Sequence, residues 1–404
     1  MRAYERLMKY VQVWTTSDDD NSCVTPSTAR QFDLANMLDE EMKELGISNV
    51  RVDGHAYVYG EIPATKGCED RPAVGFLAHM DTAPDFNGEN VRPKLHENYQ
   101  GGDITLGSGR IIEAAKFPDL AEMIGHTVMT ADGTSLLGAD DKAGIAEILT
   151  AAERILREGL PHGKICIAFV PDEEIGHGAS LLDIDAFGAD FAYTLDGGAP
   201  NEVVYETFNA SHAHLDFIGF NIHPGEAKDR MKNAALIAAE FAGLLPADEI
   251  PAKTEGYQGF FHLTDMRGDV ESATLDYIIR DHSAERFAMR EEQMREAADE
   301  INRRYGEVCR LTVTEQYRNM YEVVKDHMEV VRYAEDAVRA QGMTVDNSPI
   351  RGGTDGSQLS YRGLICPNIG TGGFAFHGPY EHISVQYMDI MVEVVLDIIG
   401  NICR

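Results

Sequence analysis

From Pro72 to about Leu195 the chain keeps one rhythm, in which short apolar runs bounded by Gly, Pro and Asp alternate with longer segments patterned as helices. Such runs read as buried strands, and their alternation with helices marks an α/β unit. The runs are Ala73 to Ala78, Ile165 to Val170 and Phe191 to Leu195. Between the first two, Lys142 to Leu160 carries apolar residues at helical spacing until Gly159 and Pro161 stop it.

A second rhythm begins near Asn209. Strand His214 to Ile222, helix Asn233 to Leu245, two strands around a turn at Gly268, helix Ala284 to Tyr305 and strand Arg310 to Glu315 give the order βαββαβ. That order predicts a ferredoxin-like α+β insert over residues 209–320, flanked by the two parts of an α/β domain, 1–208 and 321–404. After the insert come a helix through Ala340, a glycine-rich loop at Arg351 to Gly356 and a closing helix from Val385 to Ile402. Two domains suit 404 residues, given the rough prior of ~150 residues per domain.

Chemistry-bearing residues follow each predicted strand of the first rhythm. AVGFLA leads into His79-Met80-Asp81, ICIAFV into Pro171-Asp172-Glu173-Glu174, and FAYTL into Asp196-Gly197-Gly198. Open α/β sheets bind ligands outside the carboxyl ends of their strands, so these acids and the histidine converge on one side and would form a metal site. In an extended segment residues i and i+2 share a face, which lets Asp81 hold the ring of His79 while a ring nitrogen binds metal. Successive residues point apart, so Glu173 and Glu174 take different roles and one is free to act as a base. Asp140 and Asp141, in LLGADDKAG before a helix, suit either metal binding or plain capping. His377 lies in the loop TGGFAFHG, where glycines permit a tight turn toward an ion, although a lone loop histidine is also an ordinary surface residue. LGSGR at 106–110 precedes no helix with Lys and Ser or Thr, so it does not cradle phosphate.

Composition narrows the function classes. A formal charge of −32 repels nucleic acid. The N-terminal segment lacks the apolar core and cleavage site of a signal peptide, and no stretch reaches the ~18 apolar residues of a membrane span. Six scattered cysteines without a CxxC pair disfavour a disulfide framework and fit a reducing cytoplasm.

Taken in order, HMDTAPD (79–85), LLGADDKAG (136–144), PDEEIGHGA (171–179), LDGG (195–198), HPGEAK (223–228), RGGTDGSQLS (351–360) and HGPYE (377–381) resemble the co-catalytic zinc peptidases. That family includes glutamate carboxypeptidase, succinyl-diaminopimelate desuccinylase and aminoacylase. The resemblance implies a zinc-exopeptidase-like α/β catalytic domain whose ferredoxin-like insert serves as lid and dimerisation element. It implies two Zn2+ per chain, replaceable by Co2+ or Mn2+: one on His79, Asp140 and Asp196, the other on Asp140, Glu174 and His377. Asp81 would support His79, Glu173 would be the general base, and His223 would stabilise the oxyanion. Arg280 would pair with a substrate carboxylate, with Asn233, Arg351, Gly353 and Thr354 as further substrate contacts. The implied activity is release of the N-terminal residue from tripeptides. A dipeptidase, carboxypeptidase or N-acyl amino acid deacylase would share the site, and a non-catalytic metal- or peptide-binding protein is the reading from another class. Charges at Glu226, Asp229 and Lys232, together with Pro379 and His382, depart from the family pattern without touching a proposed ligand.

Overall fold

Residues 1–403 are described by the computed structural model, in two compact units. Met1–Tyr205, Glu322–Asn347 and the chain from Thr354 onward form the first, and Glu206–Tyr321 with Ser348–Gly353 forms the second. No helix among the described residues is long and apolar enough to cross a membrane.

The apolar runs form the centre of the first unit. Its seven-stranded sheet has the order Ser48–Val52, Val58–Ile62, Ile165–Val170, Val74–His79, Phe191–Gly197, Asn368–Gly370, Val203–Val204. Every residue of Val74–His79 and of Ile165–Val170 is buried, as expected for strands covered on both faces. These two strands run parallel with His79 opposite Val170, and Phe191–Gly197 runs parallel on the other side of Val74–His79. Parallel neighbours end on one edge of a sheet, so the segments after Val170 and Leu195 emerge beside His79.

Helix Ala139–Glu158 packs on Val74–His79 and Phe191–Gly197, with helices Ala3–Tyr10 and Val385–Cys403 alongside it. The approach is close at Gly144, where a Cβ would stand 2.2 Å from the carbonyl oxygen of Leu195. Gly159, in the left-handed conformation, ends this helix. A smaller sheet joins Gly373–Phe374, His382–Ser384, Val128–Thr130 and Lys94–His96. Its first two strands pair antiparallel with Phe374 opposite His382, so residues 375–381 form a hairpin connection. His377 and Glu381 ride on that connection.

The second unit follows the order βαββαβ, with strands Asn209–Ile218, Phe260–Gly268, Ser272–Asp281 and Cys309–Tyr317 and helices Ala234–Ala242 and Ala284–Tyr305. The sheet is antiparallel, and Leu215, Phe217, Leu275 and Ile279 pack with Phe241, Met294 and Ile301 of the helices in one core. Each such side chain contributes about 1.5–3 kcal/mol by leaving water.

Two local expectations need correction. The strand expected at His214 to Ile222 spans Asn209–Ile218, because Ala210 and Ser211 continue the pairing while Gly219 leaves it. Gly219 lies so near the neighbouring chain that a Cβ would meet the Val270 carbonyl oxygen at 1.9 Å. The glycine-rich loop also ends sooner than expected. Thr354 caps a helix, Asp355–Tyr361, by accepting the backbone N–H of Ser357, so Asp355 and Gly356 are helical.

Candidate functional site

His79, the last residue of its strand, is buried with its ring held from both sides. Nδ1 lies 3.0 Å from the carbonyl oxygen of Asp81 and 3.4 Å from its Oδ1, while Nε2 lies 2.9 Å from Asp140 Oδ1 and 3.5 Å from Asp196 Oδ1. With Nδ1 donating to that carbonyl, Nε2 is the nitrogen directed at the carboxylates: without an ion it donates to Asp140, and on losing that proton it would offer its lone pair to a metal at the same place.

Asp81 is fully buried and accepts the backbone N–H of Glu173 at 3.0 Å on one oxygen and of Glu174 at 3.2 Å on the other. Glu173 and Glu174 lie in a 3-10 turn, Glu173–Ile175, rather than in the extended segment expected. Asp172 anchors the turn with φ +57°, accepting from Ser27 N at 2.7 Å, Ser27 Oγ at 2.6 Å and Gln31 Nε2 at 2.6 Å.

Asp140 and Asp141, which the sequence left open between metal binding and capping, differ in what they touch. Neither has helical backbone angles, and the peptide between them is cis. Asp141 turns inward, accepting the backbone N–H of His79 at 3.0 Å and of Gly144 at 3.3 Å, so it caps and braces. Asp140 faces the other histidine as well, with Oδ2 3.2 Å from His377 Nε2. That same nitrogen is 3.0 Å from Glu174 Oε2. His377 sits at φ +61°, a region that non-glycine residues seldom occupy, so the hairpin connection holds it under strain.

Charge in this pocket is poorly met by the protein. Burial and the neighbouring charge of Asp140 push the Glu174 carboxyl up to about 8, and burial raises Asp196 to about 6. Burial and the charge of Asp196 carry Glu173 well above the ordinary carboxylate range. Hydrogen bonds to Asp140 and Glu174 lift His377 to about 11. Burial works against the ionised form of Asp140, yet its bonds to His377 and His79 keep it below the usual range. Among the described residues no lysine or arginine hydrogen-bonds to Asp140, Glu173, Glu174 or Asp196.

These donors fit a divalent cation pair. Ligand atoms of His79, Asp140 and Glu174, and again of His79, Glu173 and Asp196, lie within 4.8 Å of one another. Imidazole nitrogens and carboxylate oxygens suit zinc and its neighbours, and Asp140, with one oxygen toward each histidine, would be among the residues that hold such ions.

Three residues of the centre were not singled out from the sequence, and a fourth, Asp172, is expected among the metal-site acids but is bonded to Ser27 and Gln31 instead. Glu381 accepts backbone N–H groups from Leu137, Gly138 and Asp140. Asp355 is buried, accepts from Ala179 N at 2.8 Å, leaves Oδ2 without a partner, and is raised to about 7 by burial. Asp172 has the anchoring bonds given above. Lys142 is buried, donates to the Val13 carbonyl at 2.8 Å, and is lowered to about 7 by burial. Each is a charged residue beside a proposed ligand or inside a glycine-rich motif, which is the only signal the sequence offered.

Of the remaining predicted residues, Thr354 belongs to the first unit and His223, Asn233, Arg280, Arg351 and Gly353 to the second. Within the second unit most have local partners. Asn233 caps helix Ala234–Ala242 by accepting from Leu236 N at 3.2 Å. Arg280 is buried, donates to the Ser211 and Ile279 carbonyls, and lies over the Tyr317 ring at 5.3 Å. Arg351 donates to the carbonyls of Gly256 and Gln258 and stacks on Phe208 at 5.1 Å. A Cβ on Gly353 would meet the Tyr317 ring at 2.8 Å. His223 is exposed, its Nδ1 accepting from Gly225 N at 3.2 Å.

Residues 129–401 match the model of peptidase family M20/M25/M40. Among curated proteins the chain is 50% identical over 400 residues to Peptidase T of Clostridium perfringens (strain 13 / Type A), covering 98% of each. It is 50% identical over 399 residues to Peptidase T of Desulfitobacterium hafniense (strain Y51), covering 98% of this chain and 97% of that one. Among solved structures, aminopeptidase PepT from Bacillus cereus ATCC 10987 superposes with a TM-score of 0.79 at 22% identity, covering 100% and 98% of the two chains. A dinuclear metal-binding peptidase of the M20 family from Bacillus subtilis superposes with a TM-score of 0.66 at 13% identity, covering 98% and 96%. These two structural likenesses concern the fold.

Proposed function

Because this chain belongs to peptidase family M20/M25/M40, and resembles its relatives along almost the whole length, we propose that it is a two-zinc aminopeptidase that releases the N-terminal residue of tripeptides. His79, Asp140 and Asp196 hold one ion, and Asp140, Glu174 and His377 hold the other. Cobalt or manganese can substitute, since all the donors are nitrogen or oxygen. When bound, such a pair supplies Lewis acidity and brings the pKa of a water toward neutrality.

The remaining chemistry falls to side chains. Glu173 takes a proton from the attacking water and delivers it to the amine nitrogen as the C–N bond breaks. Asp81 keeps Glu173 and Glu174 on their separate courses through the two backbone N–H groups it accepts. His223 donates to the oxyanion, and Arg280 pairs with the C-terminal carboxylate of a short substrate. Asn233, Arg351, Gly353 and Thr354 serve as further substrate contacts, and the second unit serves as lid and dimerisation element. Free cysteines throughout accord with a cytoplasmic enzyme.

The observation that carries this reading is the double facing of Asp140, with one oxygen 2.9 Å from His79 Nε2 and the other 3.2 Å from His377 Nε2. The test is to strip the protein with a chelator and titrate zinc or cobalt while assaying tripeptides, dipeptides and N-acyl amino acids side by side. Activity should return on tripeptides and saturate at two ions per chain. Cleavage of acylated substrates alone would transfer the assignment to a deacylase.

A further inference from the structure

Glu381 has none of the roles above, yet its carboxylate is enclosed and engaged by one short segment. It is 1% exposed. Oε2 accepts Leu137 N at 2.7 Å and Gly138 N at 2.9 Å, and Oε1 accepts Asp140 N at 3.1 Å. Glu381 lies 241 to 244 residues along the chain from these donors, so nothing local dictates the contact.

The donors need a partner. They lead into helix Ala139–Glu158, and the first N–H groups of a helix have no acceptor within it. The residue at the cap position is Gly138, with φ +78° and no side chain to offer, while Asp140 and Asp141 depart from helical angles. Glu381 therefore does from afar what a capping side chain does locally, and a carboxylate is favoured at that end of a helix. It does so from the hairpin connection that also bears His377. One buried side chain thus ties the backbone of Asp140 to the loop of His377, and Asp140 Oδ2 faces that histidine across 3.2 Å.

We infer that Glu381 is a positioning residue for the metal centre: by clamping residues 137–140 against the 375–381 connection, it sets the spacing of Asp140 and His377 and so the affinity for the ion between them. This rests on the ligand set proposed above. In Glu381→Gln the amide nitrogen cannot accept, so at least one of the three enclosed N–H groups meets another donor and the segment must shift. Glu381→Asp keeps the charge but retracts it by one methylene.

Zinc binding to the full-length protein in chelator buffers, alongside tripeptide kinetics and circular dichroism, tests this. Wild type should bind two ions. Glu381→Gln should fold yet bind at least one of them about 10- to 100-fold more weakly, the loss seen when a group orienting a ligand is removed. Its kcat should recover as zinc is raised while KM for the peptide stays unchanged, a pattern that general loss of stability does not produce. Glu381→Asp should fall in between. Glu147, buried on the same helix with both oxygens unpartnered, supplies the control: Glu147→Gln should bind zinc as wild type does. Wild-type affinity in Glu381→Gln, or a loss no greater than that of Glu147→Gln, overturns the inference. Should Glu381→Gln not fold, Glu381→Asp decides by the same criterion. Fewer than two ions on wild type would instead overturn the ligand set on which the inference stands.

Discussion

Around His79 the carboxylates of Asp140, Glu173, Glu174 and Asp196 gather with no lysine or arginine bonded to them among the described residues, whereas Arg280, Asn233 and Arg351 of the second unit all have partners nearby. The first region is an electrostatic misfit that becomes sensible once cations arrive. The second is explicable as ordinary architecture: a cap, a stacked arginine, a glycine against a ring. Function is therefore visible in the first region as unmet charge, while in the second it must be demonstrated against structural roles that already suffice.

The sharpest way to break the contrast is to remove the proposed base. Glu173→Ala should cut turnover by about 10²–10⁴-fold, the span of a lost general base, while both ions remain bound by metal analysis. Ion loss in that variant would make Glu173 a ligand and redraw the centre.

Next in size is the response to metal itself. Each ion present at 100 times its dissociation constant should stabilise the fold by about 2.7 kcal/mol, read from unfolding with and without chelator. Without metal, stability should also fall as pH rises from 5 to 8. Glu174 and Asp355 are raised to about 8 and about 7, so the folded state binds more protons than the unfolded one over that interval. Their contribution is complete below the ordinary carboxylate pKa of about 4 and is lost as pH climbs through the raised values. His377, raised to about 11, points the same way, its stabilisation fading above the ordinary histidine value of about 6.5. The loaded protein should not show this decline. A metal-free melting temperature that rises toward pH 8 would contradict the misfit.

For the second unit the effects are smaller. If Arg280 pairs with a substrate carboxylate, Arg280→Lys should cost about 1.5–3 kcal/mol in kcat/KM, roughly 10- to 150-fold, and the cost should vanish for a C-terminally amidated tripeptide. An equal loss on both peptides would return Arg280 to architecture. Smallest is Asn233→Ala, expected to cost about 1 kcal/mol of stability as a lost cap and to lower kcat/KM as a lost substrate contact; an unchanged kcat/KM would leave Asn233 a cap alone.

How much could be read beforehand differs by element. The strand Ile165–Val170 and the helix Ala284–Tyr305 appear where their patterns end them, because a fully apolar run or a Ser283 cap with Gly306 beyond is a local signal. Strand Asn209–Ile218 was misplaced because its first residues are buried without alternating, so no period of two announced them. The short strands Gly373–Phe374 and His382–Ser384 were not anticipated at all, since pairing rather than propensity makes them strands. Thr354 shows a third case: a capping threonine before Asp-Gly was legible, but the glycines around it suggested a loop.

Composition and pattern by themselves determined that the chain is α/β, that a βαββαβ segment interrupts it, and that acids and histidines follow the apolar strands. Those properties are written in neighbouring residues, whose periods and caps act over a few bonds. Tertiary structure alone decided that Asp140 looks toward both histidines while Asp141 looks inward, that Glu173 and Glu174 lie in a 3-10 turn, and that Glu381 reaches back more than 200 residues to hold Asp140. The physical reason is burial. A carboxylate taken from water must find donors wherever the packed chain brings them, and that choice is made in space after the strands have paired.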